Sequence, residues 1–428
     1  MRAILLAGLG TAQAVVWLAG LGQDEGTRDF AWRAALLFAL QAAGLWVAWN
    51  RRDRTALAIV LFFALVFRAA AWTWPPELSS DLYRYVWDGR VQMAGESPYR
   101  RAPADPALSA LRDDAVWPRI NRPEARTVYP PGAQAAYLAL AAVGGGSVRG
   151  VKTAAALADL AVLALLVAAL RRRGLPAARV AIHAWSPLVV SEVCVSGHVD
   201  ALAVLLVMIA LGCADVRRFT IAGAVLGAAA AIKLYPILLL AALPRGKPRA
   251  TAAAAALAVV TLAYVPYALP VGTKVLGFLP DYFRSGEDFN GGLRILLEAL
   301  LAPAGSAARP ASIALCAVLL LGALVVIARR AADDVLRAAA AVALAFVMLL
   351  PTAIHPWYAL WLVPLVTLRP SAAALWLAGA LPLSYLKYGA PGERMPPWVL
   401  AVEWLPAFAL AAFELLSRQR AGMRSEAT

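Results

Sequence analysis

The feature that most constrains this chain is a series of apolar runs, many of them long enough to cross a lipid bilayer. The runs fall near residues 3–22, 30–49, 55–74, 150–170, 177–195, 199–214, 219–243, 250–269, 308–328, 334–353, 356–368, 372–388 and 398–416. About 18 apolar residues in succession are typical of a spanning helix, whereas a membrane β-barrel shows short alternating segments. The sequence therefore predicts an all-α integral membrane protein, a multi-span bundle with about 11–13 apolar segments.

Neither a soluble domain nor a repeat of fixed period separates these runs. We therefore expect residues 1–428 to form a single polytopic membrane domain. The first run follows Met1 and Arg2, and no small-residue cleavage site leads into a soluble domain. We expect this run to be retained as the first span. The cysteines Cys194, Cys213 and Cys316 lie inside apolar runs, which predicts neither a disulfide framework nor a metal site.

One long polar segment, residues 75–131, stands out from the apolar sequence around it. Its 8 acidic residues balance 8 arginines, so the segment is neutral although the whole chain carries a net charge of +14. The excess positive charge lies in short clusters such as Arg51–Arg52, Arg171–Arg173 and Arg329–Arg330. Clusters of this kind between apolar runs indicate membrane topology and give no reason to expect a nucleic-acid partner.

The positive-inside rule assigns a side to each connection between the runs. The arginines at 51–54 place that connection in the cytoplasm, so the following polar segment is extracytoplasmic. We predict that residues 75–147 form a catalytic loop with interfacial helices inside it. Residues 132–143 are apolar but too short to span, and they fit an interfacial or re-entrant helix.

The run at 219–243 leaves two interpretations open. It is interrupted by Lys233 and Pro236, and basic residues flank both of its ends. A broken hairpin would keep both ends in the cytoplasm, and irregular backbone is tolerated in a membrane where it lines a cavity. A single span would instead place its two ends on opposite sides.

The start of the polar segment carries candidate catalytic residues. A helix that begins after Ser80 would place Asp81, Arg84, Asp88 and Gln92 on one face, as a polar stripe on the outer membrane surface. Asp81 at a boundary between water and lipid would suit a general base. The alternative is that its carboxylate only complements the helix dipole.

Four short stretches resemble a known family. DLYRY at 81–85, GESPY at 95–99 and YPP at 129–131 resemble the first outer loop of the GT-C glycosyltransferases. AIKLYP at 231–236 resembles a second motif of the enzyme that adds the first mannose to glycosylphosphatidylinositol. The resemblance implies a GT-C-like bundle and an enzyme that uses a polyprenyl-phosphate sugar, as the bacterial mannosyltransferases of this superfamily do.

The resemblance also implies roles for individual residues. Asp81 matches the acidic residue that acts as the catalytic base in the family. The family often has a second acid two residues later, where this chain has Tyr83, and Asp88 follows one to two turns further on. The paired-carboxylate mechanism therefore does not carry over. No cofactor is indicated, and a divalent metal ion is left open. The first two spans would be an N-terminal addition to the family's membrane module.

Two arginines after Asp81 are candidates for binding the donor phosphate. Guanidinium groups bind phosphate through paired hydrogen bonds, and a departing lipid phosphate needs fixed positive charge. We expect this role for Arg84 and Arg90. The alternative for Arg84 is an ion pair within the loop, with Asp81 or Asp88 at helical spacing.

Residues outside this helix complete the predicted donor site. His198 and Asp200 lie at the outer end of a span, where they either line the pocket or form an interfacial pair. Tyr129 closes the polar segment. His355 and Tyr358 lie at a break between two apolar runs, suited to sugar or phosphate contact or to anchoring in an aromatic belt.

The positions of Lys233 and of residues 281–292 each leave two interpretations open. An intramembrane lysine indicates function, yet a hairpin on the cytoplasmic side would put Lys233 far from Asp81. It would then either snorkel or, if the hairpin reaches deep enough, hold the lipid phosphate. Residues 281–292 suit a lid or acceptor-contact loop, with a plain connector as the alternative. His183 is expected to be structural.

Together these features predict a multi-pass enzyme of the bacterial inner membrane with an extracytoplasmic active site. It would transfer a hexose, mannose by resemblance, from a polyprenyl-phosphate donor to a glycan or glycolipid acceptor, with inversion and with Asp81 as base. No P-loop or dinucleotide-binding glycine pattern is present. A polyprenyl-lipid flippase or secondary transporter of the cell envelope is the main alternative, and a structural subunit of an envelope-assembly complex is a third.

Overall fold

The fold is built almost entirely from helices. The computed structural model describes residues 1–20, 27–76, 78–284, 289–331 and 334–426. It is 78% helical, with no strand among the described residues. The predicted all-α membrane fold is confirmed.

The described residues form helices in the following order. They are α1 (Arg2–Ala19), α2 (Thr27–Ala48), α3 (Arg54–Trp72), α4 (Asp81–Met93), α5 (Pro131–Leu140), α6 (Val148–Arg172), α7 (Ala181–Ala184), α8 (Pro187–Val190), α9 (Asp200–Asp215), α10 (Phe219–Ile232), α11 (Lys247–Val271), α12 (Leu279–Arg284), α13 (Leu293–Leu300), α14 (Ala308–Arg330), α15 (Val335–Leu349), α16 (Leu362–Leu368), α17 (Ala372–Ala380) and α18 (Pro397–Glu426). Short 3-10 segments, among them Pro106–Leu111, Tyr235–Ala242, Pro356–Ala359 and Leu381–Gly389, connect several of them.

Seven of the helices in the described part of the chain are long and apolar enough to cross a membrane. They are Arg2–Ala19, Asp29–Ala48, Arg54–Trp72, Val148–Arg172, Lys247–Tyr282, Ala302–Arg330 and Pro397–Ser417. The other apolar runs form shorter or broken helices. The run at 177–195 bends by 56° between Ala177–Ala184 and Pro187–Val195, because Pro187 starts a new helix that the side chain of Ser186 caps.

The basic clusters of the chain meet at one end of the bundle, which we call the basic end. The contacts that join them are Arg52 Nη1 to Gly174 O (2.8 Å), Arg173 Nη2 to Asp215 Oδ1 (2.6 Å), Arg245 Nη1 to Arg329 O (2.5 Å) and Arg249 Nη2 to Ala328 O (2.9 Å). These contacts bring together the start of α3, the ends of α6 and α9, the start of α11 and the end of α14. The long polar segment and the break after α15 lie at the opposite end, which we call the loop end.

The run at 219–243 folds as a broken hairpin, as one of the two sequence interpretations predicts. A Cβ on Gly223 would lie 2.0 Å from the carbonyl oxygen of Ala252, and one on Gly227 would lie 2.5 Å from that of Ala256. Because the contact partner moves from Ala252 to Ala256 as the glycine moves from 223 to 227, α10 and α11 run parallel. The residues between the two helices must therefore return to the basic end where α10 began, and α10 ends inside the bundle at Lys233.

Two further close approaches bring the loop end together around α4. A Cβ on Gly89 would lie 2.7 Å from the carbonyl oxygen of Tyr137, and one on Gly132 would lie 2.7 Å from that of Ala231. Helix α5 therefore packs between α4 and the end of α10. As a result α4 is covered on most sides, and its polar stripe points into the protein: Asp88 is 0% exposed and Arg84 is 5% exposed. The polar stripe that the sequence predicts is therefore buried at Arg84 and Asp88, while Asp81 and Gln92 at its two ends are half-buried.

Candidate active site

A cavity of about 830 Å³ lies at the loop end, beside the first residue of α4. Its walls come from the start of α4, the polar segment before α5, the tip of the α10 hairpin, α12 and the break after α15. The lining includes the predicted site residues Asp81, Arg84, Tyr129, Lys233, His355 and Tyr358. The structure thus brings together side chains that are far apart in sequence.

Asp81 lies at the N-terminus of α4 with its carboxylate beside the cavity. Asn121 donates a hydrogen bond from Nδ2 to Asp81 Oδ1, at 3.2 Å, and Tyr129 also hydrogen-bonds to the carboxylate. Burial acts to raise the pKa of Asp81, but the positive charges of His198 and Lys233 and the bond from Tyr129 outweigh it, so that the pKa is lowered. The carboxylate of Asp81 is therefore ionised at neutral pH.

Lys233 reaches the same cavity from the end of α10. Its Nζ lies 3.0 Å from Oδ2 of Asp200 and 5.6 Å from the centre of the Tyr129 ring. Asp200 is fully buried and also accepts a hydrogen bond from Tyr235 Oη at 3.0 Å. The two positions that the sequence left open for Lys233 are therefore compatible: it lies at the tip of a broken hairpin, and that tip reaches the cavity that Asp81 also lines.

Arg84 is held in place by several bonds but keeps one nitrogen available. Its Nε donates to Asp88 Oδ1 at 2.8 Å, and its Nη1 donates to the carbonyl of Ala125 at 3.0 Å. Gln134 Nε2 donates to the other oxygen of Asp88, at 2.8 Å. Among the described residues Arg84 Nη2 has no hydrogen-bond partner although it is buried, and Arg84 lines the cavity. An unmatched guanidinium N–H beside a cavity suits an anionic ligand.

The histidines lie in a group of stacked rings beside the cavity. His198 and His355 each stack on Trp357 with ring centres 4.3 Å apart, and Phe289 stacks on His355 at 4.5 Å. Burial lowers the pKa of His355 to about 3, so that its ring is neutral and suited to hydrogen bonding with a polar ligand. His198 is fully buried and lies behind the cavity lining, against Trp357.

Four of the predicted site residues lie outside the cavity lining. Asp88, His198 and Asp200 are buried behind it, in contact with Arg84, Trp357 and Lys233 respectively. Arg90 forms an ion pair with Asp113 Oδ2 at 2.5 Å. Their contact with a donor remains a prediction. Of the proposed lid, residues 285–288 lie outside the described residues, while Tyr282 lines the cavity.

Some residues of the site were missed by the sequence interpretation. Asn121 hydrogen-bonds to Asp81. No signal in the sequence distinguished it, because the polar segment contains many other polar side chains that could have done so. Glu192 is fully buried, with its Oε2 3.2 Å from His198 Nε2, and it accepts a bond from Tyr385 Oη at 2.9 Å. A carboxylate inside an apolar run is costly, and this signal was available for Glu192. His183, predicted to be structural, lies 2.7 Å from buried Asp159.

The cavity wall that the hairpin contributes to is apolar, whereas the wall formed by α4 and the polar segment carries charged side chains. Leu234, Ile237 and Leu238 of the hairpin line it together with Phe346 and Leu350. Ile237 and Leu238 are partly exposed although they follow the break in α10. The same cavity therefore offers a hydrocarbon surface and a set of ionic groups. A molecule with a lipid tail and a polar head has this combination of chemistry.

The described residues contain no group of three or more His, Cys, Asp or Glu side chains that could hold a metal ion. The carboxylates beside the cavity are bound to other side chains. Asp200 binds Lys233 and Tyr235, and Asp88 binds Arg84 and Gln134. The ionic groups that line the cavity near α4 and the hairpin tip are therefore the carboxylate of Asp81 and the cations of Arg84 and Lys233.

A comparison with protein families identifies the family of this chain. The model of glycosyltransferase family 87 matches residues 127–352, more than half of the chain. No curated protein and no solved structure matches the chain. The matched range contains Tyr129 and Lys233 of the cavity, while Asp81 and Arg84 precede it and His355 follows it. On this match the chain belongs to glycosyltransferase family 87, a GT-C-type family of membrane glycosyltransferases.

Proposed function

We propose that this glycosyltransferase moves a hexose, namely mannose, from a polyprenyl-phosphate donor to a hydroxyl group of a glycan or glycolipid acceptor. The observation that carries the proposal is the cavity in which ionised Asp81 lies together with unmatched Arg84 and an apolar wall. The family membership supports sugar transfer. The apolar wall supports a lipid-linked donor, and the motif resemblance supports mannose.

The proposed step is a single displacement at the anomeric carbon. The acceptor oxygen forms a bond to that carbon while its proton passes to the carboxylate of Asp81. The bond between the anomeric carbon and the phosphate oxygen breaks, and its electron pair leaves with polyprenyl phosphate. Arg84 and Lys233 stabilise the charge that develops on the phosphate. Because one base acts on one face, the sugar is transferred with inversion.

His355 and Tyr358 have supporting places in this scheme. Both line the cavity, and a neutral imidazole can donate to or accept from a sugar hydroxyl. The stacking of His355 on Trp357 restricts its ring to one orientation. We propose that they orient the sugar, so that its anomeric carbon faces the acceptor.

We further propose that catalysis takes place on the extracytoplasmic side of the bacterial inner membrane. The basic clusters meet at the end of the bundle opposite the cavity, and the positive-inside rule assigns that end to the cytoplasm. A donor whose lipid tail lies in the bilayer would reach the cavity over Ile237 and Leu238. No nucleotide would be needed, since the lipid phosphate is the leaving group.

The proposed base is tested by sugar transfer in membranes. Membranes that contain wild type, Asp81→Asn or Asp114→Asn receive radiolabelled polyprenyl-phosphate-mannose, and transfer to lipid-extractable or glycan product is measured. We expect Asp81→Asn to lose activity by about 100-fold or more, the usual contribution of a general base. Asp114 is an exposed carboxylate of the same polar segment, so its variant should retain activity.

Three outcomes would count against parts of the proposal. Full activity of Asp81→Asn would remove Asp81 from the role of base. Transfer of another hexose but not of mannose would correct the sugar alone. Movement of intact donor across the membrane without any transfer would favour the flippase or transporter alternative.

A further inference from the structure

A second cavity, of about 510 Å³, lies between α2, the bent run at 177–195, α16 and α17. Phe38 of α2, Trp49 directly after α2, Val366 of α16 and Ala378 of α17 belong to its lining, which is mostly apolar. None of these residues lines the cavity that contains Asp81. Helix α2 also precedes the range that the family model matches. This cavity is therefore a separate site, and its formation depends on the N-terminal helices.

Unmatched positive charge lies beside this cavity. The guanidinium carbon of Arg179 is 4.6 Å from the centre of the Trp49 ring, and Arg179 Nε is buried without a hydrogen-bond partner among the described residues. Arg52 places a second positive charge close to Arg179 and donates to the carbonyl of Gly174. In the described part of the chain, neither arginine is paired with a carboxylate.

Two neighbouring arginines of the basic end are instead paired with carboxylates. Arg51 Nε is 2.5 Å from Asp53 Oδ2, and Arg173 Nη2 is 2.6 Å from Asp215 Oδ1. Arg52 and Arg179 thus form a local excess of positive charge next to an apolar hollow. The hollow is lined by α2, one of the helices that are long and apolar enough to cross a membrane, and Trp46 and Trp49 in its lining are residues that favour the membrane interface.

We propose that this cavity and the two arginines form a binding site for a phospholipid with an anionic headgroup. An acyl chain fills the apolar hollow between α2 and α17, while the headgroup phosphate lies against Arg52 and Arg179. Basic pockets between membrane helices on the cytoplasmic side bind anionic lipid headgroups in this way. The lipid would join α2 to the rest of the bundle without taking part in sugar transfer.

The test measures lipid binding by the full-length protein. Detergent-purified protein, stripped of lipid, receives phosphatidylglycerol, phosphatidylcholine or inorganic phosphate. Bound lipid is counted by native mass spectrometry, and the change in Tm is recorded. We expect phosphatidylglycerol to bind about tenfold more tightly than phosphatidylcholine and to raise the Tm. The variant Arg52→Gln/Arg179→Gln should lose this preference.

A matched control separates the site from general attraction to a basic surface. The variant Arg171→Gln/Arg172→Gln removes two exposed charges from the same end of the bundle and should keep the preference for phosphatidylglycerol. The variant Ala378→Trp fills the hollow while leaving both arginines in place, and it should reduce binding of either lipid at this site.

Defined results would overturn the proposal. Equal binding of the two lipids by wild type, or an unchanged preference in Arg52→Gln/Arg179→Gln, would show that the arginines recognise no headgroup. A rise in Tm with inorganic phosphate that equals the rise with phosphatidylglycerol would show a free-anion site without a lipid chain. If Ala378→Trp fails to fold, the arginine variants still decide whether the site recognises an anionic headgroup.

Discussion

At the scale of the residue, the properties of Asp81 depend on side chains from three other segments. Asn121 and Tyr129 hydrogen-bond to it, and the charges of His198 and Lys233 favour its ionised form. Lys233 is in turn held by buried Asp200. Lys233 therefore favours the ionised form of Asp81, and in the proposed reaction it also stabilises the leaving phosphate. Changing that lysine should affect both functions.

The first prediction concerns the pH dependence of Lys233→Gln. Because Lys233 lowers the pKa of Asp81, its removal should raise that pKa, and Asp200 would be left without its cation. Activity that requires ionised Asp81 is lost as pH falls through its pKa, so the acid limb of kcat/KM should move to higher pH. The measurement is the pH profile of kcat/KM. An acid limb that does not move would show that the two groups are not coupled.

The second prediction concerns the residues that hold Arg84. Asp88→Asn removes the charged partner of Arg84 Nε while keeping the shape of the side chain. If Arg84 binds the donor phosphate, the KM for the donor should rise about tenfold, the scale of one charged hydrogen bond. In an Arg84→Gln background the same change should have little further effect on KM.

A matched control for Asp88→Asn is Glu96→Gln. Glu96 accepts a bond from Arg101 Nε at 2.9 Å, in the same polar segment but outside the cavity lining. Its variant should leave the KM for the donor unchanged. An equal rise in KM for both variants, or for Asp88→Asn with and without Arg84, would show that Asp88 supports only the fold.

At the scale of the element, the decisive feature is the hairpin formed by α10 and its return segment. Its tip carries Lys233 and Tyr235 into the centre of the bundle, and its apolar return arm forms a wall of the cavity. The hairpin depends on the close, parallel packing of α10 on α11. Only glycine at 223 and 227 permits the two backbones to approach to this distance.

The third prediction tests this packing with Gly223→Ala. The new methyl group would lie 2.0 Å from the backbone oxygen of Ala252, so the helices must separate, at a cost of about 1–3 kcal/mol. Gly212→Ala in α9 meets no atom within 4 Å and should be neutral or stabilising by up to about 1 kcal/mol. The measurement is thermal unfolding in detergent. Equal stability of the two variants would contradict the parallel packing.

At the scale of the whole molecule, the chain separates its charges between two ends. The basic end gathers the unbalanced arginines, while the loop end contains the neutral polar segment and the cavity. This arrangement follows from helices whose connections alternate between the two ends, together with one hairpin that returns to its own side. It makes a direct prediction about membrane topology.

The fourth prediction is that positions 174 and 246 lie on the same side of the membrane and position 106 on the other. Gly174 directly follows the arginines at 171–173, and Gly246 lies among the basic residues Arg245, Lys247 and Arg249 of the basic end. Pro106 lies in the polar segment. Reporter fusions or labelling of single cysteines in intact cells measure the side of each position. Opposite sides for 174 and 246 would show that the run at 219–243 spans the membrane.

Several properties of this protein were determined by its sequence alone. Long apolar runs predict helices because, in lipid, each backbone N–H and C=O must be satisfied within its own segment. Asp81 was singled out because Ser80 predicts a helix start there and because the DLYRY stretch resembles the first outer loop of the GT-C glycosyltransferases, whereas its residue chemistry alone left a helix-dipole role equally open. The basic clusters indicated which ends of the helices lie together. These inferences need only local sequence and the properties of the bilayer.

Other properties were decided only by the tertiary structure. The distance between Lys233 and Asp81 depends on whether α10 crosses the bundle or returns, and the packing of Gly223 and Gly227 on α11 determines this. The inward direction of Asp88 depends on α5, which covers a helix face that is polar in sequence. Such contacts join residues more than 40 positions apart. They follow from the fit of backbone surfaces, which no local pattern of residues specifies.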